Sequence, residues 1–332
     1  MDMALRPMSI SQVLDRTFFL YRNNFVLFAG IAIVTPALRL IVMLAQLKAF
    51  GPLVMPTQPE NVTPQFLQAL LIRVIISVVA VSIVSIVGTA IASSATAHAV
   101  SMVHLGKSTT IAESYRRVKS ILGRVLWLTC RVLGFTFGPL ILSYAVLAGV
   151  GIGLVFLLKG GNAPGALTFV LIIVTFLGFA SILGALVWSF YALCRYSLAV
   201  PACTLEDLPA GSAMRRSSFL SDGTKWGILG IILLTGLMGV VLTYALQLPA
   251  LLASSAVIIT GKTNLSIAAT IWIYLAEFIG GTVAGPIATI ALVLVYYDQR
   301  VRKEAFDLQM MMDALGQAVP QQAAAAPPPM MG

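Results

Sequence analysis

Residues 70–104, LLIRVIISVVAVSIVSIVGTAIASSATAHAVSMVH, decide the fold of this chain. Arg73 is the only formally charged residue among them, and almost all of the others are aliphatic or small. An apolar run of about 18 residues or more can cross the roughly 30 Å hydrocarbon core of a bilayer as an α-helix. The basic segment that follows, from Lys107 to Arg124, marks the point where the chain leaves the membrane.

Five further apolar runs of this kind occur along the chain. They lie at roughly 25–47, 125–158, 166–200, 226–259 and 266–297. The chain is 59% hydrophobic and 10% charged, whereas a soluble domain has about 25% charged residues. Together these features predict an all-α integral membrane protein with six transmembrane helices.

The positive charges are distributed unevenly between the two sides of the predicted membrane. Fifteen of the 21 Lys and Arg residues fall in the stretches 6–22, 107–124, 195–225 and 300–303, whereas the opposite connections contain Lys48, Arg73, Lys159 and Lys262. Loops rich in Lys and Arg stay on the cytoplasmic side. We therefore expect a cytoplasmic (inner) membrane protein with both termini in the cytoplasm. The net charge of +9 favours contact with anionic lipid headgroups and not nucleic-acid binding, because no basic soluble domain is present.

A weak repeat of about 100 residues accompanies the charge pattern. Ser9 and Gln12 fit a capping box that would start a helix, and Thr110 and Glu113 repeat it 101 residues later. A large aromatic residue then opens each odd-numbered span: Phe25, Trp127 and Trp226. This pattern predicts three tandem units, each an interfacial helix followed by a membrane hairpin. Coincidental similarity between basic-flanked hairpins is the alternative.

These patterns divide the chain into four regions. They are a cytoplasmic segment with an amphipathic interfacial helix at 1–24, a six-span domain at 25–297 with further interfacial helices near 109–122 and 209–221, a charged cytoplasmic helix at 298–316, and a disordered Pro/Ala/Gln-rich tail at 317–332.

Two ionisable residues fall well inside predicted spans. Arg39 lies about 14 residues into the first span, and Glu277 lies about 11 residues into the sixth span, which runs the opposite way. A charged side chain at such a depth costs at least about 2.5 kcal/mol, so each needs a partner or water. We hypothesise that Arg39 pairs with Glu277. The pair would be either a packing ion pair or part of a polar substrate path. In a further alternative, Arg39 extends to the outer membrane surface without pairing.

Motifs for catalysis are missing from the sequence. We find no phosphate-binding loop, nucleophile elbow, zinc-protease helix or paired acidic motif. His98 and His104 have no cysteine or carboxylate near them at ligand spacing. We therefore expect no catalytic residues, no metal site and no cofactor.

The most specific local motif closes the sixth span, at residues 296–308, YYDQRVRKEAFDL. It resembles the end of bacterial proteins that contain the membrane domain of the glycerophosphoryl diester phosphodiesterase family. The beginning of the chain agrees through Arg6-Pro7 and residues 13–16, VLDR, and the middle agrees more loosely through Pro201 and Trp226. Ser11 and Gln12 replace the usual Gly-Glu, and Ala305 replaces the usual Gly.

The resemblance implies a six-span protein of the bacterial cytoplasmic membrane. In some members this region precedes a soluble barrel that hydrolyses the substrate. The metal ligands and acid-base residues of that barrel have no counterparts here, so the resemblance does not imply phosphodiesterase activity.

The charged motif also suggests a second hypothesis, which we call the ionic collar. Residues of the closing helix would pair with residues of the interfacial helices and so stabilise the cytoplasmic face. The closing helix contributes Asp298, Arg300, Arg302, Glu304 and Asp307, and the interfacial helices contribute Asp15, Arg16, Arg116, Arg117, Arg215 and Arg216. If so, charge reversal at Asp298 should lower the stability of the purified protein.

Three functions compete at this point. The first is a non-enzymatic protein that engages membrane lipids, a protein partner or a second copy of itself at the cytoplasmic face. The second is a transporter or flippase-like protein with its polar site at Arg39 and Glu277. The third, a membrane-embedded enzyme acting on lipid, has the least support because no nucleophile or metal cluster is evident.

Overall fold

The computed structural model describes residues 8–51, 63–159, 165–259 and 267–304. Within these ranges the regular structure is helical, without a strand. Six helical stretches are long and apolar enough to span a membrane: Phe25–Phe50, Gln65–His104, Ile111–Gly151, Phe169–Leu205, Lys225–Ala253 and Ile267–Glu304. The predicted all-α, multi-pass membrane protein is therefore confirmed.

Ten helices make up the described part of the chain. They are α1 (Ile10–Asn23), α2 (Phe25–Ala32), α3 (Val34–Phe50), α4 (Pro64–His104), α5 (Ile111–Lys159), α6 (Gly165–Tyr196), α7 (Ala199–Leu205), α8 (Ala210–Ser221), α9 (Lys225–Ile259) and α10 (Ile267–Glu304). At 1.5 Å per residue, α5 with its 49 residues is about 73 Å long, more than twice the thickness of a hydrocarbon core. At one end of the bundle, α1, α7 and α8 lie together with the first turns of α5 and the last turns of α10. We call this end "the basic end".

The second interfacial helix differs from the expectation. The structure contains separate helices at the first and third positions, α1 and α8, but residues 111–122 form the first turns of the continuous helix α5. Asn24 ends α1, and Gly223 follows α8 with a φ of 79° that favours glycine. No such break lies between Ile111 and Trp127, where Gly123 sits within a regular helix. The amphipathic segment and the third span are therefore one element.

Pro139 interrupts the hydrogen bonds of α5, and a side chain from α6 compensates for the loss. Proline has no N–H, so the carbonyl of Phe135, four residues earlier, loses its helical donor. Trp188 Nε1 donates to that carbonyl at 2.9 Å. One residue along, Ser189 Oγ donates to the carbonyl of Thr136 at 2.7 Å. In a membrane such groups must be satisfied within the protein, so these two bonds fix α6 against the kink in α5.

In two other spans an aromatic side chain donates to a carbonyl close to an internal proline, although not to the carbonyl four residues before it. Trp272 Nε1 donates to the carbonyl of Leu246 at 2.9 Å, three residues before Pro249, and Tyr21 Oη donates to the carbonyl of Val283 at 2.7 Å, three residues before Pro286. Aromatic donors from neighbouring helices thus satisfy carbonyls beside the kinks in α9 and α10.

The hydrophobic core lies at the basic end of the bundle. The last half of α10, from Ile287 to Val301, is largely buried. It packs near a row of small residues in α4 that includes Ala90, Ala95 and Ala99, each fully buried. Small side chains let helices approach closely. The best-buried part of the protein is therefore the end where the charged residues are concentrated.

Candidate functional site

Arg39 on α3 and Glu277 on α10 form an ion pair through Arg39 Nη2 and Glu277 Oε1. Their side chains are 35% and 26% exposed. A close helix contact places them together, because a Cβ on Gly281 would lie 3.1 Å from Cγ of Pro36. On both helices this contact lies about one turn closer to the basic end than the ion pair does. The pair allows two charged groups to coexist inside predicted spans at reduced cost.

A cavity of about 430 Å³ lies beside this pair, on the side away from the basic end. Met43 and Tyr274, each about one turn from a member of the pair, belong to its wall. The polar wall residues are Gln46, Arg73, Ser77, Ser82 and Tyr274. Gln46 Nε2 and Arg39 Nε are buried and have no hydrogen-bond partner among the described residues. The cavity therefore has a partly polar wall.

Glu206, in the connection between α7 and α8, is the centre of a cluster at the basic end. Arg216 Nε donates to its two oxygens at 3.1 and 3.0 Å, and Tyr296 Oη donates to Oε1. Arg216 Nη2 also donates to Glu304 Oε2 at 2.7 Å. Arg300 Nε is 3.3 Å from Glu304 Oε2 and 3.7 Å from Glu206 Oε1. We call these five residues the Glu206 cluster.

The Glu206 cluster is shielded from solvent, and this strengthens its interactions. The side chains of its four charged members are between 18% and 22% exposed. Hydrogen bonds to Glu304 and then to Glu206 raise the pKa of Arg216 above its ordinary value. Two carboxylates and two guanidinium groups also balance in charge. The cluster joins the connection before α8, α8 itself and α10 into one unit.

Asp207 forms a second ionic group beside the cluster. Arg124 Nη1 donates to its carbonyl oxygen at 2.6 Å, and Arg124 Nη2 donates to its Oδ1 at 3.2 Å. Arg117 also pairs with its carboxylate. Asp207 has a φ of 53°, a left-handed conformation that aspartate tolerates better than most residues. The turn thereby directs Glu206 towards α10 and Asp207 towards α5.

Asp298 connects the beginning of the described chain to its end. The backbone N–H of Met8 donates to Asp298 Oδ1 at 2.6 Å, and Arg302 Nε donates to Oδ2 at 2.8 Å. Arg302 Nη2 in turn donates to the carbonyl of Met8 at 2.6 Å. Asp298 is 5% exposed. This carboxylate therefore fixes the segment before α1 against α10.

The residues of the proposed ionic collar fall into two groups. Arg216, Asp298, Arg300, Arg302 and Glu304 contact one another or the N-terminal segment, whereas Arg117 pairs with Asp207 instead of α10.

Four other collar residues form no ion pair with α10 within the described ranges. They are Asp15, Arg16, Arg116 and Arg215, and all of them are exposed. Asp307 and most of the predicted helix 298–316 lie outside the described residues.

Sequence reasoning missed Glu206 and Asp207, the two acidic residues that organise the basic end. A signal was present, because LEDLP at 205–209 places two adjacent carboxylates in an otherwise basic connection. Two adjacent carboxylates between basic segments are expected to act as counter-ions for the arginines of those segments. The collar hypothesis placed the acidic partners on α10 and α1 and so passed over this pair.

Comparison with known proteins found one family model that is similar to part of this chain. Searches of the curated proteins and of the solved structures found no match. A family model does match residues 169–321, a range that includes the Glu206 cluster. That model describes the membrane domain of glycerophosphoryl diester phosphodiesterase, so the resemblance that the sequence predicts is confirmed over this part of the chain.

Proposed function

We propose that this protein is a non-enzymatic protein of the cytoplasmic membrane that engages anionic lipid with its basic end. In this orientation the basic end and both termini face the cytoplasm, which the excess of Lys and Arg on that side favours. A protein partner or a second copy of the chain would use the same face. The polar pair at Arg39 and Glu277 is structural in this proposal.

The observation that carries the proposal is a separation of the positive charges into two sets. Arg117, Arg124, Arg216, Arg300 and Arg302 are neutralised by carboxylates inside the protein.

A second set is exposed and has no carboxylate partner among the described residues. It comprises Arg16, Arg22, Lys107, Arg116, Lys119, Arg131 and Arg215. An anionic lipid surface attracts such cations by about 1 kcal/mol each.

Exposed aromatic rings accompany these cations. Trp127 and Trp226, at the starts of the third and fifth spans, are 64% and 85% exposed, and Phe25 at the start of the first is 44% exposed. The Arg16 guanidinium lies 5.3 Å from the centre of the Phe19 ring. Aromatic and basic residues together are typical of the membrane interface. The exposed rings and cations therefore support the proposal that the basic end lies at the level of the lipid headgroups.

The starts of α1 and α5 support the proposed tandem units. Ser9 and Gln12 form a capping box, and the N–H of Glu113 donates to Thr110 Oγ1 at 3.2 Å. The third unit begins differently, since Pro209 precedes α8 without a side-chain cap. We infer an ancestral unit of one amphipathic segment and one hairpin, present three times.

Native mass spectrometry of the full chain tests the proposal. The protein is transferred from nanodiscs with equal amounts of phosphatidylglycerol and phosphatidylethanolamine, and the retained lipids are counted. We expect the wild type to retain phosphatidylglycerol preferentially. Combined replacement of Arg16, Arg116 and Lys119 by glutamine should reduce that preference, since three exposed cations are lost.

A control makes one of these changes, lysine to glutamine, at the opposite end of the bundle. Lys48 is exposed at the end of α3, so Lys48→Gln should leave the lipid preference unchanged. Equal retention of both lipids by the wild type would reject the proposal. Retention of a second protein or a second copy in place of lipid would assign the basic end to protein contacts.

A second candidate function, a transporter or flippase-like activity, has one observation in its favour. Met43 and Tyr274, each about one turn from a member of the Arg39–Glu277 pair, line the cavity of about 430 Å³, and its polar groups include the buried Nε2 of Gln46. In that case a ligand retained by the wild type should disappear in Glu277→Gln and persist when Arg16, Arg116 and Lys119 are replaced. The opposite pattern supports the leading proposal.

A further inference from the structure

A second cavity, of about 540 Å³, lies between α5, α6 and α8 at the basic end. Three arginines from three different helices line it: Arg131, Arg195 and Arg215. The other lining residues are Phe135, Tyr196, Pro209, Gly211, Ser212, Met214 and Ser218, so its wall contains no carboxylate. Three like charges around one space repel each other unless an anion is bound between them.

The nearby acidic residues are directed elsewhere. Glu206 and Asp207 immediately precede α8, but their carboxylates pair with Arg216 and with Arg117 and Arg124. Within the described residues, Arg131, Arg195 and Arg215 form no ion pair. The turn before α8 thus separates the acidic side chains from the cavity. No carboxylate among the described residues therefore neutralises the positive charge of the cavity.

Arg195 is already held in position at the wall. Its Nε donates to Ser218 Oγ at 2.9 Å, and its guanidinium lies 5.9 Å and 5.7 Å from the ring centres of Tyr191 and Tyr196. A guanidinium fixed in this way loses little conformational freedom when it binds an anion, and its remaining N–H groups match the geometry of a phosphate.

The first turn of α8 adds backbone donors to the same space. Gly211 and Ser212 line the cavity, and no side chain caps the start of this helix at Pro209. The first N–H groups of a helix lack intrahelical partners and favour anions. Arg131 reaches the same turn, because a Cβ on Gly211 would lie 3.6 Å from Arg131 Nη1.

The cavity also has an apolar side, and this favours a lipid. Phe135 and Tyr196 stand with ring centres 6.4 Å apart, and Phe135 is 46% exposed on the outer face of α5. Arg131 lies one turn beyond Trp127, at the start of a span, and Arg195 lies in the last turn of α6. A headgroup phosphate at this level could enter the cavity while its acyl chains follow α5 and α6.

We propose that this cavity, lined by Arg131, Arg195 and Arg215, binds the phosphate of an anionic lipid headgroup. The inference deepens the proposed function and rests on it, since it assigns one specific site within the basic end. It also gives a role to the missing cap of α8, which distinguishes the third unit from the first two.

Two replacements at the cavity test the site by native mass spectrometry in the same mixed nanodiscs. Arg131→Gln removes an exposed guanidinium without an ion pair, so folding should be unaffected. We expect the affinity for the tightest phosphatidylglycerol to fall by about ten-fold, the loss typical of one charge-assisted hydrogen bond. Arg22→Gln is the matched control, because Arg22 is also exposed, on α1, but lies outside the cavity.

Gly211→Asp separates a binding role from a structural one. The space at Gly211 admits a Cβ at ordinary contact distance, and a carboxylate in the first turn of a helix is stabilising. This variant should therefore be at least as stable as the wild type and yet lose the bound lipid, because the new carboxylate occupies the position of the phosphate. Gly211→Ser, which adds no charge, should retain the lipid.

The possible results are distinguishable. If the wild type retains phosphatidylglycerol but Arg131→Gln and Gly211→Asp retain as much, the site is rejected while the proposed function stands. If the wild type shows no lipid preference, both are rejected. If inorganic phosphate alone protects the wild type from thermal unfolding in an Arg131-dependent way, and lipid retention does not depend on Arg131, the cavity binds free phosphate and the lipid assignment is wrong.

Discussion

Replacing Glu206 by glutamine tests whether the Glu206 cluster holds the basic end together. Glu206 accepts hydrogen bonds from Arg216 and Tyr296 and lies 3.7 Å from Arg300 Nε. Glutamine keeps the size of the side chain and one acceptor. The glutamine places an NH2 group where the other carboxylate oxygen faced guanidinium donors. The cluster then has two arginines and one carboxylate, that of Glu304.

The size of the effect follows from the contacts and the exposure. A hydrogen bond to a charged group contributes about 1.5–3 kcal/mol, and removing one partner of a fully buried ion pair costs about 3–5 kcal/mol. The side chain of Glu206 is 18% exposed, so solvent screens part of the imbalance. We therefore expect Glu206→Gln to lower the free energy of unfolding by about 2–3 kcal/mol.

Equilibrium unfolding of the purified protein in mixed detergent and SDS micelles measures this free energy. Glu113→Gln is the control, since it makes the same chemical change near the same end, where the carboxylate accepts one weak bond from Thr109 Oγ1 at 3.4 Å. That control should change the stability by about 0.5 kcal/mol or less. Equal losses in the two variants would refute the argument that Glu206 organises the basic end.

Three further predictions concern the helix contacts. Single replacements of Arg39 by methionine and of Glu277 by glutamine should each destabilise the protein, and the double variant should recover part of the loss. Trp188→Phe should cost about 1–2 kcal/mol, because it leaves a backbone carbonyl without a donor. Adding Pro139→Ala should restore part of this loss, since alanine supplies the missing N–H. Burial raises the pKa of Tyr21. The contribution of its protonated hydroxyl to stability is therefore present below about pH 10 and is lost as the pH rises through the raised pKa. Between about pH 9 and about pH 11, Tyr21→Phe should lose less stability than the wild type.

The same unfolding measurement checks each of them. Strictly additive losses at Arg39 and Glu277 would show that the two side chains do not stabilise each other. Failure of Pro139→Ala to rescue Trp188→Phe would mean that the indole stabilises by packing alone. For Tyr21, a pH profile that is identical in the wild type and the phenylalanine variant would refute a role of its proton in stability.

Some features of the fold are readable from short stretches of sequence. The six spans follow from apolar runs such as 70–104, since each run alone determines whether a helix is stable in lipid. The start of α1 follows from Ser9 and Gln12, which are three residues apart. Pro139 likewise indicates a kink. The sequence does not show that Trp188, which is 49 residues away, satisfies the freed carbonyl.

The second interfacial segment shows where local reasoning reaches its limit. The amphipathic pattern at 109–122 is similar to that of α1, yet the structure continues it into α5. The helix α1 ends at Asn23 with Asn24 as its C-cap, whereas Gly123 within α5 does not stop that helix. A glycine costs a helix only about 1 kcal/mol, and the packing of Val118, Ile121 and Val125 in the core offsets that cost.

The sequence by itself determined the class of the protein, the number of its spans and the presence of excess positive charge at one end. Each of these properties depends on the composition of a continuous stretch. Only the tertiary structure decided which of the charges are neutralised, because the partners are far apart in the chain: Glu304 is 88 residues from Arg216, and Asp207 is 90 residues from Arg117. An ion pair requires its two groups to be within about 4 Å, and that distance is set by how the helices pack.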